Sequence, residues 1–404
     1  MLGGSFARTN GETLELIVGI FSIISFYFLF FYLIRKKIKS TFLQKIFLIS
    51  IAIQLIILII DNYIYTFPLI DMDAISFERE AWESYIYKKN LGLTAYNTLF
   101  LNYIYKLIQV RVPVIFSLIN ILFSVLSGFN LLEILKKLEV DYKKIKLIMF
   151  IYLLSPLSLI FKTGILREAI IIYFVSLSLK KFIDYHLEKR NINFFKACFY
   201  LIIATIFHSG VSFIGVGYGY YFFFRNKGIY KISAFILIGL LLIFSYYFKD
   251  ILLGNKIGTK NILEAIINKQ NNSVLKGAGS AYLINISPQN LSDTIKYLPL
   301  RIFYFLYSPT PDIFRGSLDI LTFLFNSTIY IFLTWKIIVK KFFCKKNKKD
   351  KLLGNSLILG LIVALIVFSI GTQNTGTAIR HRDKILILIT IIYGTLIKKE
   401  GKNE

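Results

Sequence analysis

Apolar runs of about eighteen or more residues recur along this chain from one end to the other. A run of that length makes a helix long enough to cross the ~30 Å hydrocarbon core of a bilayer. Eleven spans are expected, at 14–34, 46–64, 111–132, 145–161, 165–179, 194–207, 210–224, 231–248, 317–335, 352–371 and 384–397. Composition agrees: 56% of the 404 residues are hydrophobic and 16% aromatic, against about 45–50% apolar in soluble domains. The expected fold class is all-α, a polytopic helical membrane protein, with residues 1–404 as a single integral membrane domain. The first run lacks a small-residue cleavage pattern and reads as a span, not a removable signal. Cys198 and Cys344 are too few and too far apart for a disulfide frame or a metal site.

Charge sets the expected orientation. The net charge is +25, and 29 of the 48 basic residues fall in alternate connections: 35–45, 136–146, 180–196, 225–231, 336–351 and the C-terminal tail. The positive-inside bias makes that set cytoplasmic, with the N-terminus outside and the C-terminus inside. Most of the positive charge then faces anionic headgroups of the lipid bilayer, which accounts for it without a nucleic-acid partner. Abundant Ile, Lys, Asn, Phe and Tyr suit an AT-rich bacterial genome, so the expected location is a bacterial cytoplasmic (inner) membrane. The outer side then carries two long loops, 61–110 and 249–316, and two very short polar turns, 162–164 and 208–209.

Chemistry concentrates on that outer side. "KTGILREA" places Lys162, Arg167 and Glu168 at the end of the fifth span, where ionisable groups usually pair or serve a site. Arg167 and Glu168 would project about 100° apart on a helix, so Glu168 can hold another helix's cation while Arg167 points into a cavity. "FHSG" breaks an apolar run with His208 and Ser209, and a neutral imidazole can exchange a proton near neutral pH. The first outer loop holds six carboxylates: Asp61, Asp71, Asp73, Glu78, Glu80 and Glu83. Its Asp71-x-Asp73 pair could bind a divalent cation or include a general base. Residues 77–89 read as an amphipathic interfacial helix carrying Trp82 and Tyr85.

Two further stretches lie nearer the C-terminus. In "GAGSAYL" the small residues Gly277, Gly279 and Ser280 allow close approach of a ligand or backbone. "LRIFYFLYSPTP" is too short and proline-broken to span, and its aromatics beside Arg301 suit a sugar or a lipid phosphate. "GTAIRHRDK" offers Thr377, Arg380, His381 and Arg382 ahead of a helix expected to start near Arg382–Lys384, where a helix N-terminus favours anions. Each stretch also has a structural alternative: an ion pair, a cap, a solvated loop, an aromatic belt or a headgroup anchor. Walker, GxSxG and paired-Cys patterns are absent from the sequence, and its three histidines, with His186 on the cytoplasmic side, do not suggest a metal site.

The order of "GILREA", "FHSG", "GAGSAYL", "LRIFYFLYSPTP" and "GTAIRHRDKIL" over roughly 60–400 resembles the bacterial oligosaccharide repeat-unit polymerases. These are the O-antigen polymerases of the Wzy type and the related EpsG-like proteins. Asp312 departs from the family pattern, which often has a bulky aromatic after the second proline. The resemblance implies a GT-C-like or Wzy-like architecture and a membrane glycosyltransferase. Its substrate would be an undecaprenyl-diphosphate-linked glycan, polymerised on the outer face into O-antigen of lipopolysaccharide, capsule or exopolysaccharide. Such an enzyme must neutralise the leaving diphosphate and orient or deprotonate the acceptor hydroxyl.

The expected roles follow. Arg167, Arg380 and Arg382 hold the diphosphate. His208, or Asp71 or Asp73, is the base, and His381 replaces it or positions the diphosphate. Glu168, Ser280, Arg301 and Tyr304 line the substrate path. No cofactor or metal is required, although the acidic loop leaves a divalent cation open. A flippase and a chain-length regulator are partners by analogy. Two other functions remain: a GT-C-like transferase adding one sugar from a polyprenyl-phosphate donor, and a lipid-linked oligosaccharide flippase. A transporter should carry charged or broken helices near mid-membrane.

Overall fold

In lipid a backbone has no water to bond, so an apolar run must pair its amides internally, and the helix does this. The computed structural model describes residues 13–65, 71–88, 96–225, 239, 280–283, 286, 290–343 and 348–396. Its helices are Thr13–Lys37 (α1), Thr41–Ile59 (α2), Asp71–Ile86 (α3), Tyr96–Ile108 (α4), Val114–Lys137 (α5), Tyr142–Leu154 (α6), Pro156–Thr163 (α7) and Glu168–Glu188 (α8). They continue as Asn191–Phe207 (α9), Ile214–Arg225 (α10), Leu291–Lys296 (α11), Leu298–Tyr307 (α12), Ser317–Thr322 (α13), Thr328–Phe343 (α14), Lys348–Gly371 (α15) and Thr375–Leu396 (α16). Among the described residues the one strand-like pairing is an isolated bridge between Ala281 and Asn374.

Among the described residues five helical stretches are long and apolar enough to cross a membrane, or six if α6 and α7, bent by 52°, form one span. The expected span at 231–248 lies outside the described residues except for Gly239. α1 turns Ile17, Ile20, Phe21, Ile24 and Phe28 outward, and α2 turns out Ile49, Ile53 and Ile56. Such apolar faces would be liabilities in water and are ordinary against acyl chains. α16 is the opposite case: every residue from Arg382 to Leu396 is buried, as befits a helix apolar all round along most of its length. α6, α8, α14 and α15 pack against it.

Proline and polar side chains shape the breaks. Pro156 has no N–H, so it starts α7 and ends α6. The Ser50 hydroxyl donates to the Leu153 carbonyl beside that break at 2.8 Å. The next stretch, Gly164–Arg167, is not helical, yet its backbone is buried. Asn120 of α5 donates to the Gly164 and Leu166 carbonyls at 2.6 and 2.9 Å, and Asn97 of α4 donates to Ile165 at 3.4 Å. Irregular backbone at such a place needs protein partners, and these two asparagines provide them. α8 can therefore begin at Glu168 with its carboxylate inside the bundle.

The last helix begins earlier than the sequence suggested. α16 starts at Thr375, where the Asn374 side chain accepts from the Thr377 amide at 2.8 Å. That is an N-cap, and it moves Arg380–Arg382 from a helix terminus into the second turn. The expectation that this tripeptide binds anions through a helix N-terminus is corrected accordingly. Burial of its cations is offset by partners from other helices, described below.

Close packing of α10 on α15 depends on two glycines. A Cβ at Gly217 would lie 2.2 Å from the Ser356 carbonyl oxygen, and one at Gly360 would lie 2.9 Å from that of Ile214. Small residues let helices approach where apolar burial gives no drive for association. Replacing Gly217 with Val forces backbone apart, with a cost of about 1–3 kcal/mol. Thermal unfolding in detergent is expected to show a lower midpoint for Gly217→Val than for Gly354→Ala, since a Cβ at Gly354 meets nothing within 4 Å; equal midpoints would refute the contact.

Candidate active site

Antiparallel helices return the chain repeatedly to one end of the bundle. The Lys- and Arg-rich ends of α5, α8, α10 and α14 lie away from the start of α8, the α9–α10 break and the α15–α16 turn. At that second end the sequence-distant polar groups meet.

Glu168 is the hub. It is wholly buried, and its Oε1 accepts from Arg380 Nε at 2.6 Å and from Lys384 Nζ at 3.2 Å. Arg380 and Lys384 share one face of α16 because they are four residues apart. Arg167, beside Glu168, adds a third positive charge acting on the same carboxylate. Lys384 has no exposure, while Arg380 keeps some. One step further along α16, Asp383 is buried near Ser158 and Lys162 of α7. Lys162 Nζ stands 4.2 Å from the centre of the Tyr152 ring. Neither Asp383 nor Lys384 was singled out from sequence, since they look like the edge of an ordinary span. Their signal was two charges beside "ILILITII", where ionisable groups are rare and usually functional.

Two histidines touch beside this hub. His208 ends α9 in an extended conformation, and its Nδ1 accepts from the Gly210 amide at 3.2 Å. An imidazole that accepts at Nδ1 carries its proton on Nε2 when neutral. That N–H faces His381 Nε2 at 3.4 Å. His381 then carries its proton on Nδ1, 3.1 Å from the Thr372 hydroxyl oxygen. The tautomers are assigned from this network. Arg167, Glu168, Arg380 and Lys384 all act electrostatically on His208. Both rings keep partial exposure.

Arg382 is spent differently from what the sequence suggested. It is fully buried and donates to the carbonyls of Leu306 and Ser308 at 2.9 and 2.6 Å, to the Asn326 side chain, and to Ser327 at 3.4 Å. Its guanidinium also lies 5.0 Å from the centre of the Tyr330 ring. A cation so committed ties α12 and α14 to α16, and its part in any site is to position them. Arg301 is also buried, and Tyr304, on the same helix, stacks on Tyr282 at 5.4 Å. The Tyr304 hydroxyl donates to Asp312. Ser280 is engaged through its backbone, its carbonyl accepting from the Thr375 amide at 2.9 Å.

Asp71 and Asp73 open α3, but their side chains lie outside the described residues, as do Gly277 and Gly279. Two other carboxylates of that loop, Glu78 and Asp61, are buried in the structure. Glu78 accepts from Arg111 at 2.6 and 2.9 Å and from Tyr105 at 2.8 Å, pinning the α3–α4 hairpin to the start of α5. Asp61 is buried in a π turn that extends α2. No group of three or more His, Cys, Asp or Glu suited to a metal occurs among the described residues.

An apolar cleft of about 380 Å³ lies beside the Gly164–Leu166 stretch, with Asn97 and Asn120 in its lining. Phe100 and Tyr103 of α4 form one wall, Phe116, Ile119 and Phe123 of α5 another, with Ile170 and Phe207 at the end. Ile170 lies two residues after Glu168, and Phe207 directly precedes His208. No family model, curated protein or solved structure matches this chain.

The hub gives an ordered prediction. Removing Glu168 strands buried cations, which costs about 3–5 kcal/mol for a buried pair. Removing one cation leaves the carboxylate a second. Glu168→Ala is therefore expected to lower the unfolding midpoint well below that of Lys384→Met, as read by thermal denaturation in detergent. The reverse order would remove Glu168 from the centre of the network.

Proposed function

We propose that this protein is a membrane glycosyltransferase that polymerises undecaprenyl-diphosphate-linked oligosaccharide repeat units. The observation that carries the proposal is the convergence of Arg167, Arg380 and Lys384 on one buried carboxylate, beside two touching imidazoles. A lipid-linked glycan presents an apolar chain, a diphosphate and a hydroxyl-bearing sugar in that order. A cleft for the first, cations for the second and histidines for the third match those three parts in kind.

In this reading the isoprenoid chain lies in the cleft, and Arg167 and Arg380 hold the diphosphate. Guanidinium groups suit phosphate oxygens through paired N–H donors. Glu168 fixes Arg380 in place and keeps the cluster affordable when empty. The acceptor hydroxyl enters between the two rings, whose 3.4 Å contact is the longest link of the chain of hydrogen bonds. It donates to His381 Nε2, and His381 takes the proton as the new C1–O bond forms. The bond from C1 to the diphosphate oxygen breaks, and the diphosphate leaves with the electron pair. Cations aimed at that growing charge lower the barrier electrostatically. His208, through its Nε2–H, positions the hydroxyl.

The orientation proposed from charge placement puts this end of the bundle outside and the active site on the outer face of a bacterial inner membrane. The resemblance in motif order supports the same reading. Size analysis of surface polysaccharide on a gel tests it, comparing wild type, a deletion, and the deletion carrying Arg380→Gln. The ladder is expected to collapse to a single repeat in both mutant strains. Loss of one sugar from every repeat would assign a single-sugar transferase instead. Lipid-linked repeats held at the inner leaflet with no surface glycan would assign a flippase.

A further inference from the structure

Among the described residues the buried arginines are bonded, with one exception. Arg382 has four hydrogen-bond acceptors and an aromatic ring. Arg301 is equally buried, at 1% exposure, yet among the described residues no hydrogen bond, ion pair or ring contact takes up its guanidinium, and its Nε is fully enclosed without an acceptor. A buried cation without a partner is costly, and a folded chain keeps one where something else completes it.

The surroundings indicate what that is. Arg301 and Tyr304 are three residues apart on α12 and share a face. Tyr304 is half-exposed and stacks on Tyr282 with the rings 14° from parallel. Tyr282 lies within electrostatic reach of both Arg301 and Arg382. Its position is fixed: its amide donates to the Gln373 carbonyl at 3.0 Å and its hydroxyl to that of Thr372 at 3.1 Å. The strap carrying Tyr282 is thus tied to the turn that also holds His381 through Thr372. An aromatic pair beside one unbonded guanidinium, at the edge of the histidine pair, is the arrangement a sugar ring with an anionic substituent would fill.

We propose that Arg301, with Tyr304, forms a subsite for an acidic sugar, a uronate whose carboxylate pairs with the guanidinium while its ring lies against Tyr304, which the buried Tyr282 ring backs. The charge match favours a carboxylate. The Glu168 centre gathers several cations and suits a diphosphate, whereas Arg301 offers a single charge in a fork geometry. Asp312 is engaged by the Tyr304 hydroxyl and so marks the far side of the platform. Substrate reaches Arg301 past Tyr304. The inference rests on the reading of this face as a glycan site, and it narrows the substrate to repeat units containing an acidic sugar.

The test uses the full chain in lipid nanodiscs and saturation-transfer NMR with three probes: methyl glucuronoside, methyl glucoside and inorganic pyrophosphate. Wild type is expected to prefer the glucuronoside over the glucoside by about tenfold, the worth of a charge-assisted hydrogen bond. Arg301→Gln should abolish that preference and leave pyrophosphate binding within twofold. Tyr304→Ala should weaken both sugars. Arg301→Gln should also raise the unfolding midpoint of the empty protein, because it removes an unpaired buried charge, whereas Arg382→Gln should lower it; a merely structural Arg301 would lower it too.

Equal binding of the two glycosides, no binding of either, or a preference that survives Arg301→Gln each overturns the subsite. Loss of pyrophosphate binding in Arg301→Gln would assign Arg301 to phosphate instead, also overturning it. None of these readouts needs polymerase activity. A polysaccharide ladder untouched by the deletion would sink the proposed function while leaving the sugar preference to be judged separately.

Discussion

A carboxylate without water must be surrounded by cations, and the burial of Glu168 organises most of this structure. Holding it requires Arg380 and Lys384 on one face of α16, which sets the rotation of that helix. It also requires an irregular approach from Gly164 to Arg167, whose backbone Asn97 and Asn120 satisfy. With α16 so rotated, Arg382 points the other way and collects the carbonyls at the end of α12. His381, between them, faces His208. One buried charge thus governs the placement of the aromatic segment on one side and of the histidine pair on the other.

The alternation within "RHRDK" matters more than its overall basicity. Successive residues of a helix point about 100° apart, so five neighbours address different partners. Arg380 and Lys384 face Glu168, Arg382 faces α12 and α14, and Asp383 faces α7. A stretch that would serve as a simple headgroup anchor at a loop becomes, inside a helix, the fastening point for much of the bundle.

Much of the fold was legible because hydrophobic length is a direct physical demand of lipid. α1, α2, α5 and α15 follow from apolar runs alone. The break at His208 was legible because two polar residues and a glycine interrupt one such run. The site was only half legible. That Glu168 would hold a cation from another helix follows from adjacency to Arg167, but which cation depends on tertiary approach. The setting of Arg382 depends on the Asn374 cap in "QNTGT", which starts the helix seven to nine residues before the apolar run alone suggests. Gly217 and Gly360 carry no meaning until α10 and α15 are seen in contact. Lone asparagines such as Asn120 reveal themselves only through the carbonyls they serve.

The cleft between α4 and α5 has one further consequence. Its walls are phenylalanine, tyrosine and isoleucine, and α4 leaves Phe100 and Tyr103 exposed along it. A molecule with a long hydrocarbon chain arrives at such an opening by moving within the leaflet, and its abundance there is a surface density rather than a molarity. Saturation of a site fed in this way responds to the mole fraction of the ligand among lipids, so diluting the bilayer with inert lipid acts as a competitive inhibitor would, while diluting the aqueous phase changes nothing.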